Sequence, residues 1–187
     1  MLGMPRGTVA LVPYSEDWPG LFREEADRLR EALGEAALAI EHVGSTAVPG
    51  MWAKPIIDID VAVADLDDWV RLVQPLADIG YQCVPHVHDE ARRFFAKGPE
   101  TLRTHHLHLV AVDGDEWHGP LLFRDTLRAR PDIAARYSRL KQVLADRFPT
   151  DRASYTVCKG RFVQAVLRRA RADAPEHNVH RSQGAEP

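Results

Sequence analysis

The chain has 187 residues, 45% of them apolar and 27% charged, with 24 Lys and Arg against 27 Asp and Glu for a formal net charge of −3. That balance excludes a general binder of extended nucleic acid, which carries a strong basic excess. No apolar run approaches the ~18–20 residues that span a bilayer, which excludes a membrane-spanning helix.

The length suits one domain, expected over 1–172, with a sheet core in about 8–113 and a helical part in about 115–172. The first residues, Met1-Leu2-Gly3-Met4-Pro5-Arg6, lack the apolar centre of a signal peptide, and the reading is a cytoplasmic protein. Cys83 and Cys158 form no CxxC pair and read as buried free thiols.

Residues 8–13 read as a short extended segment. Ser15 then offers an N-cap and Pro19 falls in the first turn of a helix. Leu21, Phe22, Ala26, Leu29 and Leu33 recur at helical spacing, and Gly34 ends the run. Residues 36–43 read as a strand that runs into Gly44, and 55–63 as a second strand. A helix is expected over 65–78, stopped at Gly80. Strands at 81–84 and 92–97 flank a polar turn holding His86 and His88, and a further strand covers 105–112. Three helices follow at about 118–130, 132–147 and 151–172, punctuated by Pro131 and Pro149. Residues 173–187, with His177 and His180, read as a disordered tail. The expected class is α/β (α+β), a mixed sheet with flanking helices and a C-terminal helical cap.

The stretch richest in chemistry runs from His42 to Val61. In the second strand, period 2 puts Ile57, Ile59 and Val61 on one face and Asp58 and Asp60 on the other. Two carboxylates projecting side by side from an apolar strand cost desolvation and repulsion unless a cation lies between them. Hard oxygen ligands favour Mg²⁺ or a similar ion. An edge-strand position for Asp60 and an ion pair of Asp58 with Lys54 stand as the alternative. Gly44-Ser45 ends the preceding strand, and a sharp turn there exposes backbone N–H groups and a hydroxyl to a phosphate. Asp58 follows Ser45 by 13 positions, room for a short turn between neighbouring strands. Together these make a metal–phosphate site suited to in-line displacement at phosphorus.

The runs His42-Val43-Gly44-Ser45-Thr46-Ala47-Val48-Pro49-Gly50 and Ala53-Lys54-Pro55-Ile56-Ile57-Asp58-Ile59 resemble the GrpB family. Gly80-Tyr81, Arg93-Phe94-Phe95, Thr104-His105-His106-Leu107-His108-Leu109 and Leu122-Phe123-Arg124-Asp125 continue it. Tyr137 with Lys141 and Tyr155 with Lys159 extend the resemblance over about residues 9–170. GrpB proteins are similar to the nucleotidyltransferase fold of the polymerase-β-like superfamily, and some are fused to dephospho-CoA kinase. The resemblance implies a metal-dependent nucleotidyltransferase acting on a nucleoside triphosphate and a small acceptor. It places the triphosphate on Gly44 and Ser45, beside Thr46, and divalent metal on Asp58 and Asp60, with Mg²⁺ expected and Mn²⁺ or Zn²⁺ as alternatives.

The superfamily's third carboxylate comes from a later strand, and the corresponding strand here carries histidines instead. Period 2 puts His106 and His108 on one face, where a neutral imidazole suits a catalytic base or a metal ligand. A hydrogen-bonded strand pair of histidines is the alternative. Two other functions stay open. One is a metal-dependent phosphoesterase using Asp58, Asp60, His106 and His108. The other is a non-catalytic domain that binds a nucleotide or CoA-like molecule.

Lys54 precedes the acidic strand and reads as a phosphate contact or as a partner of Glu41 or Asp58. Lys141 and Lys159 fall within apolar stripes of their helices, where lysine is rare unless a charge awaits it. Snorkelling at the stripe edge is their alternative. Arg93 and Arg124 are weaker candidates for the same phosphate, with a pair to Asp125 or Asp115 as the alternative for Arg124. Arg168, Arg169 and Arg171 read as a solvated face. Trp52 lies in the loop facing the expected site, as a packing residue or a platform for a base.

Overall fold

A computed structural model describes residues 2–84 and 90–173. His86, His88, His177, His180 and nearly all of the expected tail lie outside the described residues.

The N-terminal segment forms no strand. Val12 instead exchanges two backbone hydrogen bonds with Ala53, at 2.8 and 3.0 Å. Helix α1 (Trp18–Leu33) starts at its proline-containing first turn and buries Trp18, Ala26, Leu29 and Leu33. Ser15 is not its N-cap. Asp17 holds that position, and Ser15 Oγ accepts the Asp17 N–H at 3.3 Å. Strand β1 (Ala39–Val43) begins later than expected because Gly34–Ala36 winds into a 3-10 turn. Strand β2 (Ile57–Val63) follows. The helix expected at 65–78 divides into a 3-10 turn (Asp67–Leu72) and a short α2 (Val73–Asp78). Pro75 explains the division, since it lacks the N–H that would bond to Arg71 and its ring crowds that carbonyl. Strands β3 (Tyr81–Cys83), β4 (Arg92–Lys97) and β5 (His105–Ala111) complete the sheet. Cys83 and Cys158 are free thiols, half-buried rather than buried.

The strand order is β1-β2-β5-β4-β3. Only the central β2–β5 pair is parallel. Alternation along the strands splits the sheet into two faces of different character. Ile57, Ile59, Val61, Phe95, Leu107 and Leu109 are fully buried on the face covered by α1 and α2. Each such side chain contributes roughly 1.5–3 kcal/mol of burial. The opposite face carries Asp58, Asp60 and Ala62 beside His106, His108 and Val110. Three helices lie toward it: α3 (Asp115–Ala129), α4 (Pro131–Arg147) and α5 (Arg152–Asp173). Helix α3 starts at Asp115, ahead of the expected 118, directly after the Gly114 turn. Ala62, Val110 and Trp117 close one end of this face with a small apolar cluster. The polar remainder of the face opens into a cavity. Among the described residues, no helix is long and apolar enough to cross a membrane.

Candidate functional site

The cavity has a volume of about 840 Å³, within the range of small-molecule sites. The sheet forms its floor, the Gly44-Ser45 turn one rim, and α3, α4 and α5 its walls. At the rim, β1 ends at Val43 and Gly44 takes a φ of 70°, a left-handed conformation that glycine reaches without strain. A Cβ at Gly44 would overlap Asp58 Oδ2. Only glycine lets the turn pass this close to the carboxylate. The next residues, Ser45–Ala47, form a 3-10 turn. Thr46 pins it from beneath. Its hydroxyl donates to Ile56 O at 3.3 Å, so His42 Nε2, 2.9 Å away, is the donor to Thr46 Oγ1. His42 in turn stacks on Phe22 at 4.7 Å. Burial holds its imidazole down to about 4, hence neutral. Thr46 lines the cavity but is spent on this anchor rather than open to a phosphate.

On the floor, parallel pairing sets Asp58 beside His106 and Asp60 beside His108. The first pair meets at 3.1 Å through His106 Nδ1 and Asp58 Oδ1, the second at 3.0 Å through His108 Nδ1 and Asp60 Oδ1. The alternative of a hydrogen-bonded strand pair of histidines takes the form of two His–Asp pairs. Burial raises the Asp58 carboxyl, but the His106 hydrogen bond and charge, with Lys54 and His108, outweigh it and hold Asp58 well below the ordinary carboxylate range. Burial pushes Asp60 up, and Asp58's charge adds to that against His108 and Arg92. The Asp58 side chain is 30% exposed and the Asp60 side chain 2%.

Each carboxylate keeps one oxygen free. Asp58 Oδ2 faces the Gly44 turn, and Asp60 Oδ2 is buried without a hydrogen-bond partner. Two leftover carboxylate oxygens lining one cavity fit a hard divalent cation that keeps its other positions for water or phosphate oxygen. Both histidines spend Nδ1 on a carboxylate, which leaves Nε2 as the nitrogen open to a metal or a proton. Among the described residues, no three His, Cys, Asp or Glu side chains gather in ligating geometry.

Cations line the rest of the cavity. Lys141 is 2% exposed, donates to Ser45 Oγ at 2.7 Å and Trp52 O at 2.5 Å, and lies 4.9 Å over the Tyr137 ring. While Lys141 is protonated it can only donate, so the Ser45 hydroxyl then keeps its own proton to offer the cavity. Burial, with Lys159 and Lys54 nearby, pushes Lys141 down to about 7. Burial and Lys159 likewise push Lys54 down to about 8, against the attraction of Asp58. Burial lowers Lys159 too. Lys54, Lys159 and Arg152 line the cavity with no carboxylate partner among the described residues. Lys141, buried and hydrogen-bonded, does not snorkel, and Lys54 feels the Asp58 charge without a contact ion pair among the described residues. Such a concentration of unpaired positive charge is what a polyanionic ligand relieves.

Several expected residues lie elsewhere. Arg93 is on the far face of β4, 5.6 Å over the Trp69 ring, because β4 pairs Phe94 with His108 and so turns Arg92 toward the cavity. Arg124 is not a cavity residue. It clamps α3 to β1 through Glu41 Oε2 at 2.5 Å and His42 O at 2.9 Å, and pairs with Asp125 at 2.8 Å. Trp52 is 38% exposed and lies off the cavity lining, where it contributes its backbone carbonyl to Lys141. Arg171, expected on a solvated face, pairs with Asp115 at 2.9 Å at the cavity edge. Arg92 and Arg152 were absent from the sequence-based candidates. Arg152, Tyr155, Lys159 and Val163 recur at helical spacing, a stripe that pointed to Arg152 once Lys159 was chosen.

A mixed sheet with paired aspartates on its central strand, beside a Gly-Ser turn and under a helical cap, is the architecture of the nucleotidyltransferase fold. The chain superposes on the Cid1 poly(U) polymerase, in a structure bound to MgATP, with a TM-score of 0.51 over 72% of this chain and 44% of that one. At 12% identity this is a likeness of fold alone. The GrpB protein model matches residues 8–169, and the chain belongs to the GrpB family. It is 44% identical to a UPF0157 protein of Pseudomonas aeruginosa over 88% of this chain and 68% of that one. It is 40% identical to the glutamate-rich protein GrpB of Alkalihalophilus pseudofirmus over 89% of this chain and 98% of that one. The crystal structure of GrpB from Enterococcus faecalis superposes with a TM-score of 0.79 at 36% identity, over 86% of this chain and 96% of that one. A dephospho-CoA kinase of Mycolicibacterium paratuberculosis is 33% identical over 88% of this chain, which spans 46% of that protein.

Proposed function

We propose that the cavity binds a nucleoside triphosphate, with Mg²⁺ held by Asp58 and Asp60, and that the protein transfers the nucleotidyl group to a small acceptor. The observation that carries this reading is the placement of two carboxylates on the floor of a cavity whose walls hold unpaired Lys54, Lys159 and Arg152. The fold shared with a polymerase crystallised with MgATP supports it.

When bound, the cation neutralises phosphate oxygens and stabilises the charge that develops at the transferred phosphorus. The protein's own groups do the rest. Lys54, Lys141, Lys159 and Arg152 balance the phosphate charge and orient the chain of phosphates. Ser45 donates its hydroxyl, held in place by Lys141. His108 is the group that receives the acceptor's proton. Asp60 holds its Nδ1–H, which leaves Nε2 as the basic nitrogen. This His–Asp pair stands in for the third carboxylate.

The test is product formation. The protein is incubated with α-labelled nucleoside triphosphates, Mg²⁺ and panels of small hydroxyl, amine and phosphate acceptors. Labelled product with release of pyrophosphate, lost in Asp58→Asn, is the expected result. Tight binding that needs no divalent ion and yields no product would instead identify a nucleotide- or CoA-binding module. Release of phosphate with a tightly held Mn²⁺ or Zn²⁺ would identify a phosphoesterase.

A further inference from the structure

The three lysines of the cavity are not alike. Lys54 and Lys159 are half-buried and open to it, whereas Lys141 is 2% exposed. Among the described residues Lys141 Nζ meets no carboxylate. Its hydrogen bonds go to the Trp52 carbonyl and, at 2.7 Å, to Ser45 Oγ. Ser45 itself is half-buried and lines the cavity, on the turn that Thr46 pins from beneath. A buried amine thus reaches the ligand's space through a serine hydroxyl.

This is the geometry of an activated nucleophile: a hydroxyl and a base within hydrogen-bond reach, the base oriented by a third group. The third group is the Trp52 carbonyl, which holds one N–H of Lys141. Without its extra proton the amine has a lone pair, and with Trp52 satisfied that lone pair is free to take the Ser45 proton. Burial, with Lys159 and Lys54 and against the attraction of Asp58, brings Lys141 down to about 7, so both protonation states are populated near neutral pH. Protonated, Lys141 leaves Ser45 as a donor to phosphate. Neutral, it makes Ser45 an attacking group. The cations around the pair select a polyanionic partner for that attack.

We propose that Ser45 is a phosphoryl-acceptor site, at which the protein phosphorylates itself from a bound nucleoside triphosphate with Lys141 as the base. The proposal rests on the phosphate-binding reading above and adds a second reaction to it. The Ser45 Oγ–Pγ bond forms as the bond from Pγ to the β,γ-bridging oxygen breaks. The hydroxyl proton passes to Lys141 Nζ, and nucleoside diphosphate leaves with the electron pair of the broken bond. The new phosphate stays in the space of the triphosphate's end, so the modified protein binds a second triphosphate more weakly and the reaction limits itself.

The experiment incubates the full chain with Mg²⁺ and ATP, GTP, CTP or UTP, labelled at the γ- or the α-phosphorus. Samples are quenched in acid and the labelled peptide is mapped, with affinity for the same nucleotides measured by titration calorimetry. The expected result is γ-label on Ser45, at no more than one phosphoryl group per chain, and none in Ser45→Ala. The labelling rate rises with pH at or above about 7, since bound phosphates raise Lys141 while Lys54 and Lys159 lower it. Lys141→Arg keeps the charge but cannot give up its proton. It is expected to label about 10²-fold or more slowly, with nucleotide affinity within about threefold of the parent. Should that variant not fold, the peptide map and the pH profile of the parent decide. A parent that binds nucleotide without γ-label on Ser45 would overturn the inference and leave the phosphate site standing. Label from the α-phosphorus on Ser45, a rate that does not rise with pH, or full-rate labelling in Lys141→Arg would overturn it too. Failure of the parent to bind any of the nucleotides would overturn both readings.

Discussion

Asp58 Oδ2 occupies the space that a Cβ on Gly44 would need, so the Gly44-Ser45 turn and the acidic strand fix one another. Neither can be altered without moving the other. Gly44→Ala therefore brings two penalties, a left-handed φ and an overlap with a carboxylate. The expected loss is roughly 1–3 kcal/mol in chemical denaturation, with ligand affinity reduced in the same variant. A variant as stable as the parent would show that the turn and the strand are independent.

The cavity amines make stability depend on pH. Folding depresses Lys141 to about 7 and Lys54 to about 8, against an ordinary lysine value of 10.5. Between these values the unfolded chain binds more protons than the folded one, so stability rises with pH. The expected result is a denaturation midpoint that climbs from about pH 7 to 9.5, with a shallower climb in Lys141→Met. Above about pH 10 the effect reverses, because burial raises Tyr81, Tyr137 and Tyr155 and the unfolded tyrosines ionise first. A polyphosphate ligand at neutral pH supplies the missing counter-charge and flattens the lysine-driven slope.

Two arginines, Arg93 on β4 and Arg152 on α5, separate site from scaffold. Arg93 lies on the far face over Trp69, while Arg152 lines the cavity without a carboxylate partner. Arg152→Ala is expected to weaken triphosphate binding by about tenfold, and Arg93→Ala to leave it unchanged at a stability loss of about 0.5–1 kcal/mol. Calorimetric titration of both variants checks the assignment. A binding loss confined to Arg93→Ala would mean that the ligand lies on the other side of the sheet.

His108 divides binding from turnover. It is held by Asp60 and is the more exposed of the two histidines. His108→Gln is expected to keep triphosphate affinity within about threefold while lowering the transfer rate by about 10²–10⁴-fold. An equal loss of affinity and rate would assign the imidazole to ligand binding instead.

The sequence announced the floor of the site more fully than its walls. Period 2 alone placed Asp58 with Asp60 and His106 with His108, and the β2–β5 register joined the two sets as expected of neighbouring strands. The Gly44-Ser45 turn was legible because glycine followed by a hydroxyl residue marked the end of the strand. Arg93 was misplaced because a strand's period fixes which residues share a face but not which face meets the ligand. Phe94, by pairing with His108, decides that Arg92 is the cavity residue. Arg124 was misplaced because its partners, Glu41 and the His42 carbonyl, are brought near only by the docking of α3 on β1. The lysine cluster was half legible. Lysine within an apolar helix stripe signalled an unseen charge, but the gathering of Lys54, Lys141, Lys159 and Arg152 around one cavity depends on the approach of α4 and α5 to the sheet. The 65–78 segment shows a local limit of the same kind, where an apolar stripe suggested one helix and Pro75 divided it.

The central claim is that the cavity grips a polyphosphate between its lysines and a cation held on Asp58 and Asp60. Titration of ATP into the parent and into Asp58→Asn, each with and without Mg²⁺, tests it most directly. In the parent, Mg²⁺ should tighten ATP binding by about tenfold or more, and in Asp58→Asn that gain should vanish while the protein stays folded. Equal ATP affinity with and without Mg²⁺ in the parent, or an undiminished Mg²⁺ effect in Asp58→Asn, would contradict the account.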